Sequence, residues 1–161
     1  MKRGLIFLSF LFLILSCQKD SEGMKPAEIF YGEDMCDRCS MIISEEEFSG
    51  QYLLPKGEVK KFDDIGCMVH YIAENETRKE KILAVFVRDY NSEEWISGEK
   101  SFYVAGKNIK TPMGYGLAAL KERNSAENLA KAKGGEVFEN LSEATNRVLS
   151  SETTTKGENI R

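Results

Sequence analysis

Cys36, Cys39 and Met41 fall within six residues of one another in the stretch from Gly32 to Ile43. Thiolates and thioethers are soft donors, and together they select copper(I) over hard, oxygen-seeking ions. A second thioether, Met113, stands between Pro112 and Gly114 in Lys110-Thr-Pro-Met-Gly114, where turn residues leave no strand or helix core for it to fill. Bland readings stand beside these. In an oxidising compartment, Cys36 and Cys39 suit a redox pair or a structural disulfide equally well. Met41 also begins an apolar run with Ile42 and Ile43 and suits packing as well as ligation, while Met113 taken alone favours packing.

Cys67 and His70 extend the pattern to Cys36-x2-Cys39 … Cys67-x2-His70, a Cys3His zinc spacing. The 27 residues between Cys39 and Cys67 are more than a compact finger uses. The competing expectation is a small, partly buried Cys67 and a surface His70. This is the single histidine of the chain, so no site here rests on two or three imidazoles. Asp63-Asp64 reads as a helix cap rather than an acid/base pair, and Trp95 as a packing anchor. The chain carries no phosphate-cradling glycine loop, no G-x-S-x-G and no H-E-x-x-H.

Around these residues the 161-residue chain supplies one small folded unit, or two very small halves sharing a core. It carries 26 acidic and 22 basic residues, a net charge of −4, which opposes nucleic-acid binding and a polybasic membrane grip. The N-terminus is an address. Met1-Lys-Arg3 precedes an apolar run from Leu5 to Leu15, too short for a span of ~20 residues, and the pattern is that of an export signal. Ile14-Leu-Ser-Cys17 resembles a lipobox, which makes residues 1–16 a lipoprotein signal peptide and Cys17 the lipidated first residue. Several acyl chains on Cys17 anchor stably where one would be marginal.

Residues 17–26 read as a flexible tether and 151–161 as a disordered tail. Between them the pattern gives α+β, with strand–strand–helix–strand occurring twice. A first half, 27–90, holds a short strand at Glu28–Tyr31, a hairpin from Phe48–Leu54 to Val59–Phe62, a helix to about Glu74 and a strand at Ile82–Val87. A second half, 91–150, holds strands at Ser101–Ala105 and Gly116–Leu120, a helix at Ala126–Lys133, a strand at Glu136–Phe138 and a terminal helix from Leu141 to Leu149.

Several motifs coincide in order and spacing. They are the lipoprotein start, Gly-x-Asp-x-Cys-x2-Cys-x-Met-x-Ile from Gly32, Phe62-Asp-Asp-Ile-Gly-Cys-Met68, Trp95-Ile followed by Phe102-Tyr-Val104, and Pro112-Met-Gly-Tyr-Gly116. In combination they resemble the NosL family, copper-binding lipoproteins that accompany nitrous oxide reductase. The resemblance implies two similar ββαβ halves with antiparallel sheets. It also implies a non-enzymatic copper(I) chaperone for the reductase's copper centres, docking on an ABC-type assembly complex. The implied ligands are Cys39 and Met41 of the Cys-x-Met element and Met113 of the Pro-Met-Gly element, with Cys36 as a further candidate. The implied location is the bacterial cell envelope, lipid-anchored and facing the periplasm. Two rivals stay open: a thiol–disulfide protein using Cys36 and Cys39, and a zinc-stapled module using Cys36, Cys39, Cys67 and His70.

Overall fold

A computed structural model of the chain describes residues 23–75 and 81–158, the last eight by backbone alone. The signal segment, Cys17 and most of the expected tether lie outside the described residues.

The central hairpin forms where two short strand segments flank the turn sequence Pro55-Lys-Gly57. Strand β1 (Gly50–Leu53) pairs antiparallel with β2 (Val59–Phe62), Gly50 opposite Phe62 and Leu53 opposite Val59. Pro55–Gly57 makes the turn, with Lys56 and Gly57 in the left-handed region at φ 67° and 82°. Asp64 then caps helix α1 (Ile65–Asn75): its Oδ1 accepts the Gly66 N–H at 2.7 Å, satisfying one of the orphan donors of the first turn. Strand β3 (Ala84–Arg88) returns on the other side of β1, and β4 (Trp95–Ser97) adds to β3. The sheet order is β2-β1-β3-β4.

The second unit repeats this arrangement. Strand β5 (Phe102–Ala105) is the centre, flanked by β6 (Leu117–Leu120) on one side and β7 (Glu136–Phe138) on the other, all antiparallel. Helix α2 (Arg123–Lys133) connects β6 to β7 and ends at Gly134, whose left-handed φ of 66° suits glycine. Helix α3 (Leu141–Glu158) opens with a reciprocal cap: Asn140 Oδ1 accepts the Glu143 N–H, while Glu143 Oε2 accepts the Glu139 N–H. The fold class is α+β with two antiparallel sheets, each carrying a ββαβ unit. One core cluster contains Val85 and Val87 of β3, Tyr103 of β5, Leu117 and Ala119 of β6, and Ala144 and Val148 of α3. The two sheets therefore share apolar packing.

Four expectations need correction. No strand forms at Glu28–Tyr31, because turn bonds take up its backbone: the Phe30 carbonyl accepts the Glu33 and Asp34 N–H groups, and the Phe30 N–H goes to Asp34 Oδ2 at 2.9 Å. The buried Gln51 amide instead pairs with both backbone polar groups of Ala27. Strand β4, sequentially in the second half, belongs to the first sheet. Helix α2 begins at Arg123, three residues before the expected start. Helix α3 runs on to Glu158, through most of the segment read as a disordered tail.

Candidate metal centre

Residues 32–43 double back on themselves. The Gly32 N–H donates to the Ile43 carbonyl, Ile43 to Asp34, and Cys36 to Met41, with Met35 bridged antiparallel to Ile42. At the tip the Ser40 N–H reaches the Cys36 carbonyl, and Ser40 itself has φ 60°. This narrow loop puts Cys36 and Cys39 on its inner side and leaves Met41 outside. Two bonds between backbone and Asp37 pin it to β2: Asp37 N–H to the Lys61 carbonyl, and Lys61 N–H to Asp37 Oδ2. The Lys61 ammonium also reaches Asp34 at 2.7 Å, which holds that carboxyl below its ordinary range.

The inner side of the loop meets the start of α1. There the Sγ atoms of Cys36, Cys39 and Cys67 and a carboxylate oxygen of Asp63 all lie within 4.8 Å of one another. Cys36 is 2% exposed, Cys67 0% and Asp63 1%; Cys39 is half-buried and forms the outer edge. The three thiols are unbridged. The Cys39 thiol donates to Asp63 Oδ1 at 3.5 Å. Cys67 donates to Cys36, which lowers the Cys36 thiol to about 7, while that same bond and burial push Cys67 upward. Burial raises Cys39 to about 11, opposed by the Met41 N–H and reinforced by the neighbouring Cys36 and Asp63. The three thiols thus differ in acidity, with Cys36 lowered and Cys39 and Cys67 raised from the ordinary range.

A second loop closes over the same end of α1. Asp64 accepts the Gly66 N–H on one oxygen and the Met113 N–H on the other at 3.0 Å, so the helix cap also positions Met113. Burial raises the Asp64 carboxyl against these bonds and one to Thr111. Tyr115 lies directly on Gly66, where a Cβ would come within 2.3 Å of the ring. Arg38, next to Cys39, ties the loops together: its guanidinium bonds the Tyr115 hydroxyl at 2.5 Å and Glu74 of α1 at 2.7 Å.

Of the residues singled out above, Cys36 and Cys39 stand in the cluster, while Met41 is 57% and Met113 40% exposed beside it. The Cys3His set is not assembled. His70 is not among the clustered residues; it is buried at 4% exposure against the Tyr115 ring, with centroids 4.9 Å apart, rather than on the surface. Cys67, expected to be partly buried and idle, is fully buried and joins the sulfurs. Both corrections have one cause: the two loops cover the α1 face opposite the apolar stripe. Asp63 was hidden by its neighbour, since one cap explained both aspartates. Its position four residues before Cys67 was the signal available.

Comparison with known proteins bears on this arrangement. The NosL family model matches residues 27–146, which include both loops and both sheets. The chain belongs to the NosL family. It is 28% identical over 152 residues to the copper-binding lipoprotein NosL of Stutzerimonas stutzeri, covering 87% of this chain and 80% of that protein. The crystal structure of the copper chaperone NosL from Shewanella denitrificans has the same fold, with a TM-score of 0.63. That match is at 21% identity and covers 74% of this chain and 96% of the other. Among the described residues no helix is long and apolar enough to cross a membrane.

Proposed function

We propose that this chain is a lipid-anchored copper(I) chaperone of the bacterial cell envelope that delivers copper for the copper centres of nitrous oxide reductase. Its docking partner in this reading is the ABC-type assembly complex, and its chemistry is ligand exchange, not catalysis. The observation that carries the reading is a half-buried thiol, Cys39, at the mouth of a sulfur cluster, with two exposed thioethers on the loops around it. Cys39, Met41 and Met113 form the exchange site, with Cys36 behind them. An incoming thiolate or thioether can displace the exposed thioethers one at a time while Cys39 holds the ion. A closed four-ligand cage would offer no such entry.

The test is competition for copper(I) against a chelator, with reduced protein under anaerobic conditions. Wild type should bind one ion. Cys39→Ser should lose it, and Met113→Leu should bind more than tenfold more weakly, about 1.4 kcal/mol or more, while folding normally because volume and apolarity are kept. Met113→Leu binding like wild type would remove the thioether from the site. Delivery is read separately, as the copper content of the reductase made with and without this protein. For the anchor, Cys17→Ser should yield a protein without acyl mass that leaves the membrane fraction. A wild-type chain free of lipid would refute the lipobox.

A further inference from the structure

Resting on the copper(I) reading, we infer that Arg38 is a positioning residue for copper exchange: it clasps the two loops together and so sets the release rate. Clasped, the loops keep Met113 within reach of the ion that Cys39 holds; unclasped, they let that donor go. Each loop has its own tie to the body of the protein. Residues 32–43 are tied to β2 through Asp37 and Lys61, and the Met113 N–H is tied to Asp64 at the start of α1. Neither tie joins one loop to the other. The Arg38 guanidinium does, with both sides of its fork. Its Nη1 donates to the Tyr115 hydroxyl at 2.5 Å, while Nε and Nη2 donate to the Glu74 carboxylate at 3.2 and 2.7 Å. Cys39 is the next residue after Arg38, and Met113 lies two residues before Tyr115.

The far anchor of the clasp is rigid. Tyr115 is seated on Gly66, where a Cβ would come within 2.3 Å of its ring, and against the His70 ring, so its hydroxyl is a fixed point to grip. A planar, pre-organised fork can span this hydroxyl and a carboxylate at once, which the single ammonium of a lysine does poorly. The near side is open to solvent. The Arg38 side chain is 22% and that of Glu74 53% exposed, so salt reaches the pair. An ion pair this exposed adds little to global stability. A coupling too small to matter for folding nevertheless shifts a local equilibrium between open and closed loops several-fold. Opening breaks hydrogen bonds and one ion pair and leaves the ion on Cys39 and its own loop, from which an incoming thiolate or thioether takes it sooner.

The experiment times release. Reduced full-length protein in detergent is loaded with copper(I), and its transfer to an excess of a chromogenic copper(I) chelator is followed by stopped flow at low and high salt. Arg38→Gln and Tyr115→Phe, which keep every proposed ligand, should each release copper roughly fivefold faster than wild type. Combined, they should be no faster than either alone, because both open the same clasp. In a Met113→Leu background, where the clasped donor is already gone, Arg38→Gln should add nothing. Added salt should speed release from wild type more than from Arg38→Gln, which has no ion pair left to screen. Thermal melts of the metal-free proteins separate these effects from a loss of fold, and Tyr115→Phe with the salt series decides the matter if Arg38→Gln is unstable. Wild-type rates in both single variants, rates that multiply in their combination, or full acceleration by Arg38→Gln without Met113 would overturn the clasp and leave the exchange site standing. A wild-type protein that takes up no copper(I), or Met113→Leu that releases it at the wild-type rate, would overturn both.

Discussion

At Gly66 a single methyl group has two opposite effects. Glycine inside a helix is worse than alanine by roughly 1 kcal/mol, so propensity alone favours Gly66→Ala. Against that, the new Cβ would lie 2.3 Å from Tyr115 Cγ and 2.4 Å from its Cβ. Those atoms sit next to the Tyr115 backbone, so no rotation of the ring relieves the clash; the Pro112–Gly116 loop must move. Overpacking of this kind costs ~1–3 kcal/mol and should win. Gly66→Ala is therefore expected to lower the denaturant midpoint. It should also weaken copper(I) binding, since the same loop carries Met113, whose N–H is held by Asp64. Stability above wild type with unchanged copper affinity would show that the close packing of Tyr115 on α1 does not position the site.

Between elements, Asp89 at the end of β3 does for the two sheets what Asp64 does for the two loops. Its Oδ2 accepts the Lys121 N–H at 2.7 Å just beyond β6, and its Oδ1 accepts from Asn91 and Ser92. The adjacent Tyr90 N–H donates to Ala119 of β6 at 2.8 Å. Burial pushes the Asp89 carboxyl upward, but these donors outweigh it and hold the group below its ordinary 3.8. A lowered folded value means that the contribution to stability is present above pH 3.8 and is lost as the pH falls through the folded value. Asp89→Ala leaves several donors unpaired and should cost about 2–3 kcal/mol at neutral pH. The difference between wild type and variant should shrink in acid. Urea titrations of both proteins at pH 7 and near pH 3 measure it, and a gap that stays constant would assign the loss to packing.

For the whole molecule, the shared core sets the cooperativity. Tyr103, Leu117 and Ala119 of the second sheet pack in the same cluster as Tyr52, Val85 and Val87 of the first, with Ala144 and Val148 of α3 among them. Neither sheet can lose its partner without exposing that cluster to water, so the halves should unfold in one transition. Calorimetry of the metal-free protein should give equal calorimetric and van't Hoff enthalpies; two resolved transitions would show independent halves. In the proposed exchange site copper(I) takes ligands from both units, Cys39 from the first and Met113 from the second. Excess copper(I) should therefore raise the melting temperature of the single transition as a whole, by about 2.7 kcal/mol of stability at a free concentration a hundred times Kd.

The α+β class, the hairpin, the order strand–strand–helix–strand in each half and the sulfur motifs were all legible in the residues. Each is a local property: short apolar runs, a Pro-Lys-Gly turn, an aspartate before a helix, two cysteines with two residues between them. The address read at residues 1–16 and Cys17 is a local pattern of the same kind and lies outside the described residues. What only the tertiary structure decided is which side chains meet. The stripe Ile65/Met68/Val69/Ile72 marks one buried face of α1, but periodicity does not report that two loops bury the opposite face as well. That second covering buries His70 beside Tyr115 and brings Cys67 to Cys36 and Cys39. It also divides Asp63 from Asp64, one facing the thiols and the other capping the helix and holding Met113. Strand β4 follows the same logic, since pairing with β3 depends on where that edge lies in space and not on the half in which its residues fall. Contacts between segments far apart in the chain leave no period in the sequence, and the candidate metal centre is made of such contacts.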